Sequence, residues 1–272
     1  MGSDVGRTSR AGRTEIIRFE GVGKSFSTRA GIFEAVRNIS LKVEEGEFVT
    51  LVGPSGCGKS TLLNITAGIY QPTQGRAVYR GQPVMPYNKH VGYMTQSDHL
   101  LPWRDVAGNI AVPLEINNTP RQKMRARIEE LIAFVGLDGF AKSYPSQLSG
   151  GMRKRTVLAR LLAYDPETLL LDEPFAALDA QLRLRLQVEL TQIARKLNKT
   201  VLFVTHDLDE AVALADRCAI FTGRPGTIKR VIDIPLPRDR DLMRLRYNSD
   251  YMAVTAQLWD ELALEITDQR RT

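Results

Sequence analysis

The spacing of apolar positions changes along the chain, and each change predicts an element. Alternation in EIIRFEGV (15–22) and AVRNISLKV (35–43) predicts edge strands with one covered face, whereas the run in GEFVTLVG (46–53) predicts a strand buried on both faces. KSTLLNITAGI (59–69) reads as a helix, and residues 75–81 and HVGYMTQ (90–96) read as short strands. From about Asp105 to Tyr164 the spacing is helical, including PRQKMRARIEELIAFVGL with Pro120 at its start. Strands return at ETLLLDEP (167–174), TVLFVTHD (200–207) and RCAIFTG (217–223), with helices AQLRLRLQVELTQIARKL (180–197) and LDEAVALA (208–215) between them. Strands bracketing helices imply a parallel α/β core. The helical block, about residues 98–163, reads as an inserted subdomain, and residues 236–272 as a tail with one or two surface helices between Leu242 and Thr267.

Composition narrows the class without naming a function. The chain has 272 residues, 43% hydrophobic and 25% charged, as ordinary globular proteins do. No window is apolar and long enough to cross a membrane, and residues 1–14, polar and Arg-dotted, read as a disordered lead rather than a secretory signal. The formal charge of +6 is spread along the chain beside Asp and Glu, as on solvated helix faces, and does not mark a nucleic-acid surface. Cys57 and Cys218 are the only cysteines and form no CxxC pair, which argues against a disulfide framework or a structural zinc site and fits a reducing cytosol.

Chemistry concentrates where the predicted strands end. GPSGCGKST follows an apolar strand and opens a helix, fitting G-x-x-x-x-G-K-[ST]. Its residues Gly53, Pro54, Ser55, Gly56, Cys57, Gly58, Lys59, Ser60 and Thr61 would form a cradle of backbone N–H groups for phosphates at a helix N-terminus. Lys59 would neutralise the β- and γ-phosphates, and the Ser60 hydroxyl would ligate Mg²⁺. From average residue usage, a chance match in such a chain is expected on the order of one time in a hundred. In TLLLDEP, three leucines run into two acids, and burying acids there is costly unless something cationic pairs with them. Asp172 would hold the metal through water, and Glu173, facing the other way, would orient or deprotonate an attacking water. Gln96 ends a strand where it could touch Mg²⁺ and that water, His206 ends another within reach of the γ-phosphate, and Asp179 begins the following helix. Singly each is an ordinary polar residue at an element end; together they sit where parallel α/β sheets gather their ligands.

In LSGGMRKR, the adjacent Gly150 and Gly151 after Ser149 are an expensive way to start a helix unless its backbone must approach something. Cys57, at a helix N-terminus beside Lys59, meets conditions that lower a thiol pKa, and alkylation prevented by bound ATP would mark it as reactive; the alternative is a small residue tolerated in a tight loop.

GPSGCGKST, the strand-end Gln96, LSGGM, LLLDEP, ALD and VTHD occur in this order, and the chain from about 15 to 235 resembles the ATP-binding cassette ATPases. The resemblance implies an α/β fold with a RecA-like P-loop NTPase core, an antiparallel β subdomain and an inserted helical subdomain. It implies ATP and Mg²⁺ as ligands, Phe26 stacking on adenine, Gln96 in the Q-loop, Glu173 as catalytic base and His206 as switch histidine. It further implies a second copy of the chain, so that Ser149, Gly150 and Gly151 meet ATP held by the partner's Lys59. Two departures stand out: Met152 where the signature usually has Gln, and Phe26 where Tyr is common. Phe keeps the π-face that stacking uses, and Met152 lies beyond the Ser-Gly-Gly.

SDHLLPWRDVAGNIAVPLE (97–115), GRPGTIKRVIDIPLPRDRD (223–241) and the short tail are similar to the importer ATPases for nitrate, aliphatic sulfonates and taurine. That likeness implies two transmembrane permease subunits, a periplasmic or lipoprotein solute-binding protein, no nucleic acid, and a place on the cytoplasmic face of the bacterial inner membrane. It also sets Leu100–Trp103 beside the groove for a permease helix, against the alternative that Trp103 packs inside the helical subdomain. The competing readings are a non-transport cassette acting on nucleic acid or ribosomes, and an exporter ATPase. Against the former, no sustained heptads separate P-loop from signature, and the chain carries one cassette.

Overall fold

The computed structural model describes residues 14–29 and 31–269, with side chains through residue 263. The expected disordered lead, apart from Thr14, lies outside the described residues. Two long strands, β1 (Glu15–Thr28) and β2 (Gly31–Glu44), pair antiparallel, and β4 (Gln74–Tyr79) and β5 (Gln82–Pro83) complete a four-stranded sheet in the order β2-β1-β4-β5. The hairpin extends well beyond the predicted 15–22 and 35–43, because cross-strand pairing continues to Thr28↔Gly31 through residues with no alternation of their own.

The second sheet has the order β10-β9-β3-β8-β7-β6, from β3 (Phe48–Val52), β6 (Val91–Met94), β7 (Thr168–Asp172), β8 (Thr200–Val204), β9 (Arg217–Phe221) and β10 (Ile228–Asp233). Five of its strands are parallel; β10, which the sequence pattern did not announce, joins β9 antiparallel at the edge. Side chains of a strand alternate between faces, so this sheet divides its residues between two cores. Phe48, Val52, Leu169, Leu171, Val201, Phe203, Cys218 and Ile220 join the core with the later helices. Val49, Leu51, Leu170, Leu202, Val204, Ala219 and Phe221 join the core shared with the antiparallel sheet. Burial on both faces explains why β3, β7 and β8 read as apolar runs.

Helix α1 (Lys59–Thr66) lies between the two sheets with Leu62, Leu63 and Ile65 buried. The helical block comprises α2 (Val106–Ile116), α3 (Arg121–Phe134) and α4 (Gly150–Tyr164), so residues 98–105 precede it as non-helical chain. Helices α5 (Ala180–Lys196) and α6 (Leu208–Leu214) return the chain to the sheet, and α7 (Ser249–Gln269) closes it. The tail is more than a surface helix: Tyr251, Val254, Leu258 and Leu262, at helical spacing, enter the larger core.

Between β3 and α1 the chain makes a tight loop that determines the state of Cys57. Gly58 has φ of 97°, and a Cβ there would lie 2.2 Å from the Val36 side chain and 2.8 Å from the Ala35 carbonyl oxygen, so only glycine fits. The same close seating leaves Cys57 1% exposed inside the smaller core. Burial pushes its thiol pKa up; Lys59, whose Nζ is 3.6 Å from Sγ, opposes the shift without reversing it. Of the two readings the structure favours the small residue in a tight loop over the reactive thiol, because desolvation outweighs the nearby cation. A thiol-exchange reagent should label neither Cys57 nor Cys218 rapidly in native protein and both in guanidinium; fast native labelling of Cys57 would overturn this. Phe175, 1% exposed, with its ring tilted against Phe203 at 5.8 Å, anchors the loop after β7. Phe175→Ala should cost about 3–5 kcal/mol in denaturant melts.

Candidate active site

Parallel pairing of β3 with β8 and of β8 with β7 places the loops after all three strands on one sheet edge. The loop after β3 delivers Lys59, whose Nζ donates to the carbonyls of Gly53 and Pro54, each at 2.8 Å. Ser60 follows, and its side chain hydrogen-bonds Asp172 at the end of β7. Asp172 is 3% exposed, and burial raises its carboxyl pKa. The Ser60 hydroxyl, Lys59 and Lys154 pull it back down, while Glu173 reinforces the rise. A buried carboxylate beside a hydroxyl, with an amide side chain nearby, is an oxygen donor set suited to a hard divalent cation.

Glu173 follows Asp172 directly, beyond the end of β7. Its φ of 50° lies in the left-handed region that non-glycine residues rarely occupy. Its backbone N–H donates to the Val204 carbonyl at 3.0 Å, so β8 holds the strained residue in place. The Glu173 carboxylate is thereby brought 3.4 Å from Gln96 Nε2 and 3.7 Å from His206 Nδ1. Lys59, Ser60, Gln96, Asp172, Glu173 and His206 form one cluster, which can cradle phosphates, hold a cation and present a base to a water.

The remaining expected residues are placed differently. Asp179 is the N-cap of α5, accepting from Leu182 N–H at 3.0 Å. Ser149 is the N-cap of α4, accepting from Met152 N–H at 3.3 Å. Among the described residues no hydrogen bond or ion pair joins Ser149, Gly150 or Gly151 to the cluster of their own chain. The two glycines differ. A Cβ on Gly151 would lie 3.2 Å from the Ala177 carbonyl oxygen and the Leu178 side chain, whereas one on Gly150 would meet only Arg153 at 3.8 Å. Gly151 thus has an intrachain reason to be small, and Gly150 has none. Phe26 lies within β1, half-buried, with Tyr70 edge-on at 5.2 Å and the Lys24 ammonium 5.2 Å from its ring.

Sequence reasoning missed Lys154. Its ammonium reaches from α4 to the carbonyls of Gln96 and, at 3.4 Å, Thr95, and lies 3.8 Å from Asp98. Burial lowers its pKa, opposed by Asp98, Asp172 and Glu173. The available signal was a lysine at helical spacing with Val157, Leu158 and Leu161, on the face that α4 buries. GRPGT bridges the P-loop and β2: Arg224 Nε donates to Gly56 O in the loop at 2.7 Å, and Gly226 N to Ala35 O of β2 at 3.0 Å.

Comparison with known proteins identifies the family. The ABC transporter family profile matches residues 36–176. An uncharacterized ABC transporter ATP-binding protein of Methanocaldococcus jannaschii is 46% identical over 231 residues, covering 85% of this chain and 86% of its own. The aliphatic sulfonates import ATP-binding proteins SsuB of Bacillus cereus and SsuB 1 of Xanthomonas axonopodis pv. citri are 43% and 45% identical, covering 81% and 80% of this chain and 87% and 86% of theirs. Among solved structures, a dimeric ATP-binding cassette in a post-hydrolysis state bound to ADP and Pi superposes with a TM-score of 0.75 at 29% identity, over 81% of this chain and 100% of that one. The described part of this chain is accordingly an ATP-binding and ATP-hydrolysing cassette, and the chain belongs to the ABC transporter family.

Proposed function

We propose that this chain is the energising subunit of a bacterial importer for a small anionic solute such as a sulfonate, nitrate or taurine. It works as a dimer with a second copy of itself, on the cytoplasmic face of the inner membrane. Two permease subunits bind it there, and a periplasmic or lipoprotein solute-binding protein feeds them. The names of the sulfonate-import relatives support the direction and the solute class. In the chain just before the helical block, Trp103 is 70% exposed and so is not a packed core residue. Backbone bonds from Val106 to Ser143 and from Ala107 to Ala141, each 2.9 Å, bring the exposed Phe140 and Tyr144 to the same end of α2. An apolar aromatic surface of this kind suits a permease helix.

The observation that carries the dimer is that, among the described residues, no hydrogen bond or ion pair of its own chain joins the exposed Ser149 or the open Gly150 to the catalytic cluster. A helix N-terminus with free N–H groups and an unobstructed glycine suits the γ-phosphate of ATP held by the other copy. In the cradle of Gly53–Thr61, Lys59 exchanges its two carbonyl partners for phosphate oxygens, and Phe26 offers a ring to adenine. Ser60, Gln96 and Asp172 would hold Mg²⁺, which supplies charge neutralisation on the β- and γ-phosphates. Glu173 takes the proton of a water oriented by Gln96 and His206. The water oxygen then bonds to the γ-phosphorus as the bond to ADP breaks, releasing Pi.

Glu173→Gln should lower the ATP turnover number about 100-fold or more while ATP binding is retained; undiminished hydrolysis would remove Glu173 as the base. Ser149→Arg should still bind ATP as a monomer but lose ATP-driven dimerisation and turnover, read by gel filtration and phosphate release. Normal dimers and turnover in that variant would sink the composite site. DNA or RNA should leave the hydrolysis rate unchanged, and stimulation would favour the nucleic-acid reading.

A further inference from the structure

Behind the catalytic cluster lies a buried acid with no part in the chemistry above. Glu210, on the first turn of α6, is 7% exposed. Its Oε1 accepts a hydrogen bond from Gln187 Nε2 of α5 at 2.8 Å, and its Oε2 is in close hydrogen bond with Thr205 Oγ1. Thr205 Oγ1 also accepts from the backbone N–H of Asp207 at 3.0 Å, so the hydroxyl proton is the one that Glu210 receives. Asp207 in turn accepts from Glu210 N–H at 3.1 Å and lies 3.5 Å from Arg183. The residues on either side of His206 are therefore tied into one ring centred on Glu210.

His206 itself has little to hold it. Its side chain is 65% exposed and faces Glu173 at 3.7 Å. An exposed imidazole takes its position from its backbone, and that backbone is fixed from behind by Thr205 and Asp207. A carboxylate is a costly way to fill a core position, since a leucine would bury without desolvating a charge. Burial does push the Glu210 carboxyl up, against its bonds to Thr205 and Gln187. What an acid adds is two directional acceptors, and here they reach two different elements. On α5, Arg183 also donates to the Leu178 carbonyl at 3.0 Å, in the loop that leads from Glu173 to the Asp179 cap.

We infer that Glu210 is a positioning residue for hydrolysis, holding His206 over Glu173 through the Thr205 hydroxyl and being held in turn by Gln187. The inference rests on His206 acting in hydrolysis, and it adds Thr205, Glu210 and Gln187 as the parts that place it. Thr205→Val, which removes only the hydroxyl, and Glu210→Ala should each lower kcat about 10- to 100-fold, the scale expected for a misplaced catalytic group. The KM for ATP should stay near wild type, and the melting temperature should fall by several degrees for the lost buried hydrogen bonds without loss of the folded state at the assay temperature. Thr205→Ser keeps the hydroxyl and should restore turnover, and Thr205→Val combined with Glu210→Ala should be no slower than the worse single variant. Wild-type kcat in Thr205→Val, equal losses in Thr205→Ser and Thr205→Val, or additive losses in the double variant would overturn the inference. If Glu210→Ala does not fold, the Val/Ser pair at Thr205 decides alone. His206→Ala separates the two ideas: full turnover there removes the role of His206 itself. Slow His206→Ala with normal Thr205→Val removes only the positioning.

Discussion

Parallel pairing of β3, β8 and β7 is the constraint on which the site depends. Parallel strands end on the same edge, so Lys59 and Ser60 after β3, Asp172 and Glu173 at β7 and His206 after β8 meet although the three loops lie far apart in sequence. The ladder also sets the relative heights of the loops, because each strand is locked to its neighbours by backbone bonds and buried on both faces. Side chains on flexible loops could not keep a hydroxyl against one carboxylate and a second carboxylate within reach of two polar partners. Here the strain at Glu173 is held by a backbone bond to β8, so its carboxylate is oriented by the sheet itself.

The helical block connects to this edge through charges rather than through apolar packing alone. Lys154 and Arg153 on α4 reach across to Thr95, Gln96 and Asp98, with Arg153 Nε 2.9 Å from the Asp98 carboxylate. A buried lysine bound to the Gln96 backbone makes any tilt of α4 felt at the residue that faces Glu173. That link lies on the same helix whose N-terminus carries Ser149 and Gly150, so contact at the helix start and the position of Gln96 share one rigid element.

The opposite side of the cluster is braced by the C-terminal segment. Arg240, 8% exposed, donates to the carbonyls of Val212 and Ala215 at the end of α6, where unsatisfied carbonyls would otherwise remain. Tyr251 on α7 donates to the Asp209 carboxylate at 2.7 Å, in the first turn of the same helix. The short α6 therefore owes its placement to residues far along the chain. A seven-residue helix is too short to be stable alone.

Much of the fold and most of the site could be read from local pattern. The phosphate cradle is a local object, made by consecutive backbone N–H groups, so GPSGCGKST predicts it wherever a strand and a helix flank it. LLLDEP and VTHD could be read for a related reason: apolar runs ending in polar residues mark strand ends, and strand ends are where such sheets work. Burial is not local. Cys57 looked activated by Lys59 until packing against β2 and the smaller core desolvated it. Lys154 and Glu210 looked like solvated helix residues, yet one supports Gln96 and the other the loop of His206. The edge strand β10 and the core face of α7 were likewise hidden, since each exists only because a distant partner covers it. The sequence by itself determined which elements form and which residues can do chemistry, because period and backbone geometry act over a few residues. Only the tertiary structure decided which charged groups are dry, what holds them and which glycine is left open, because desolvation and close approach depend on neighbours far away in the chain.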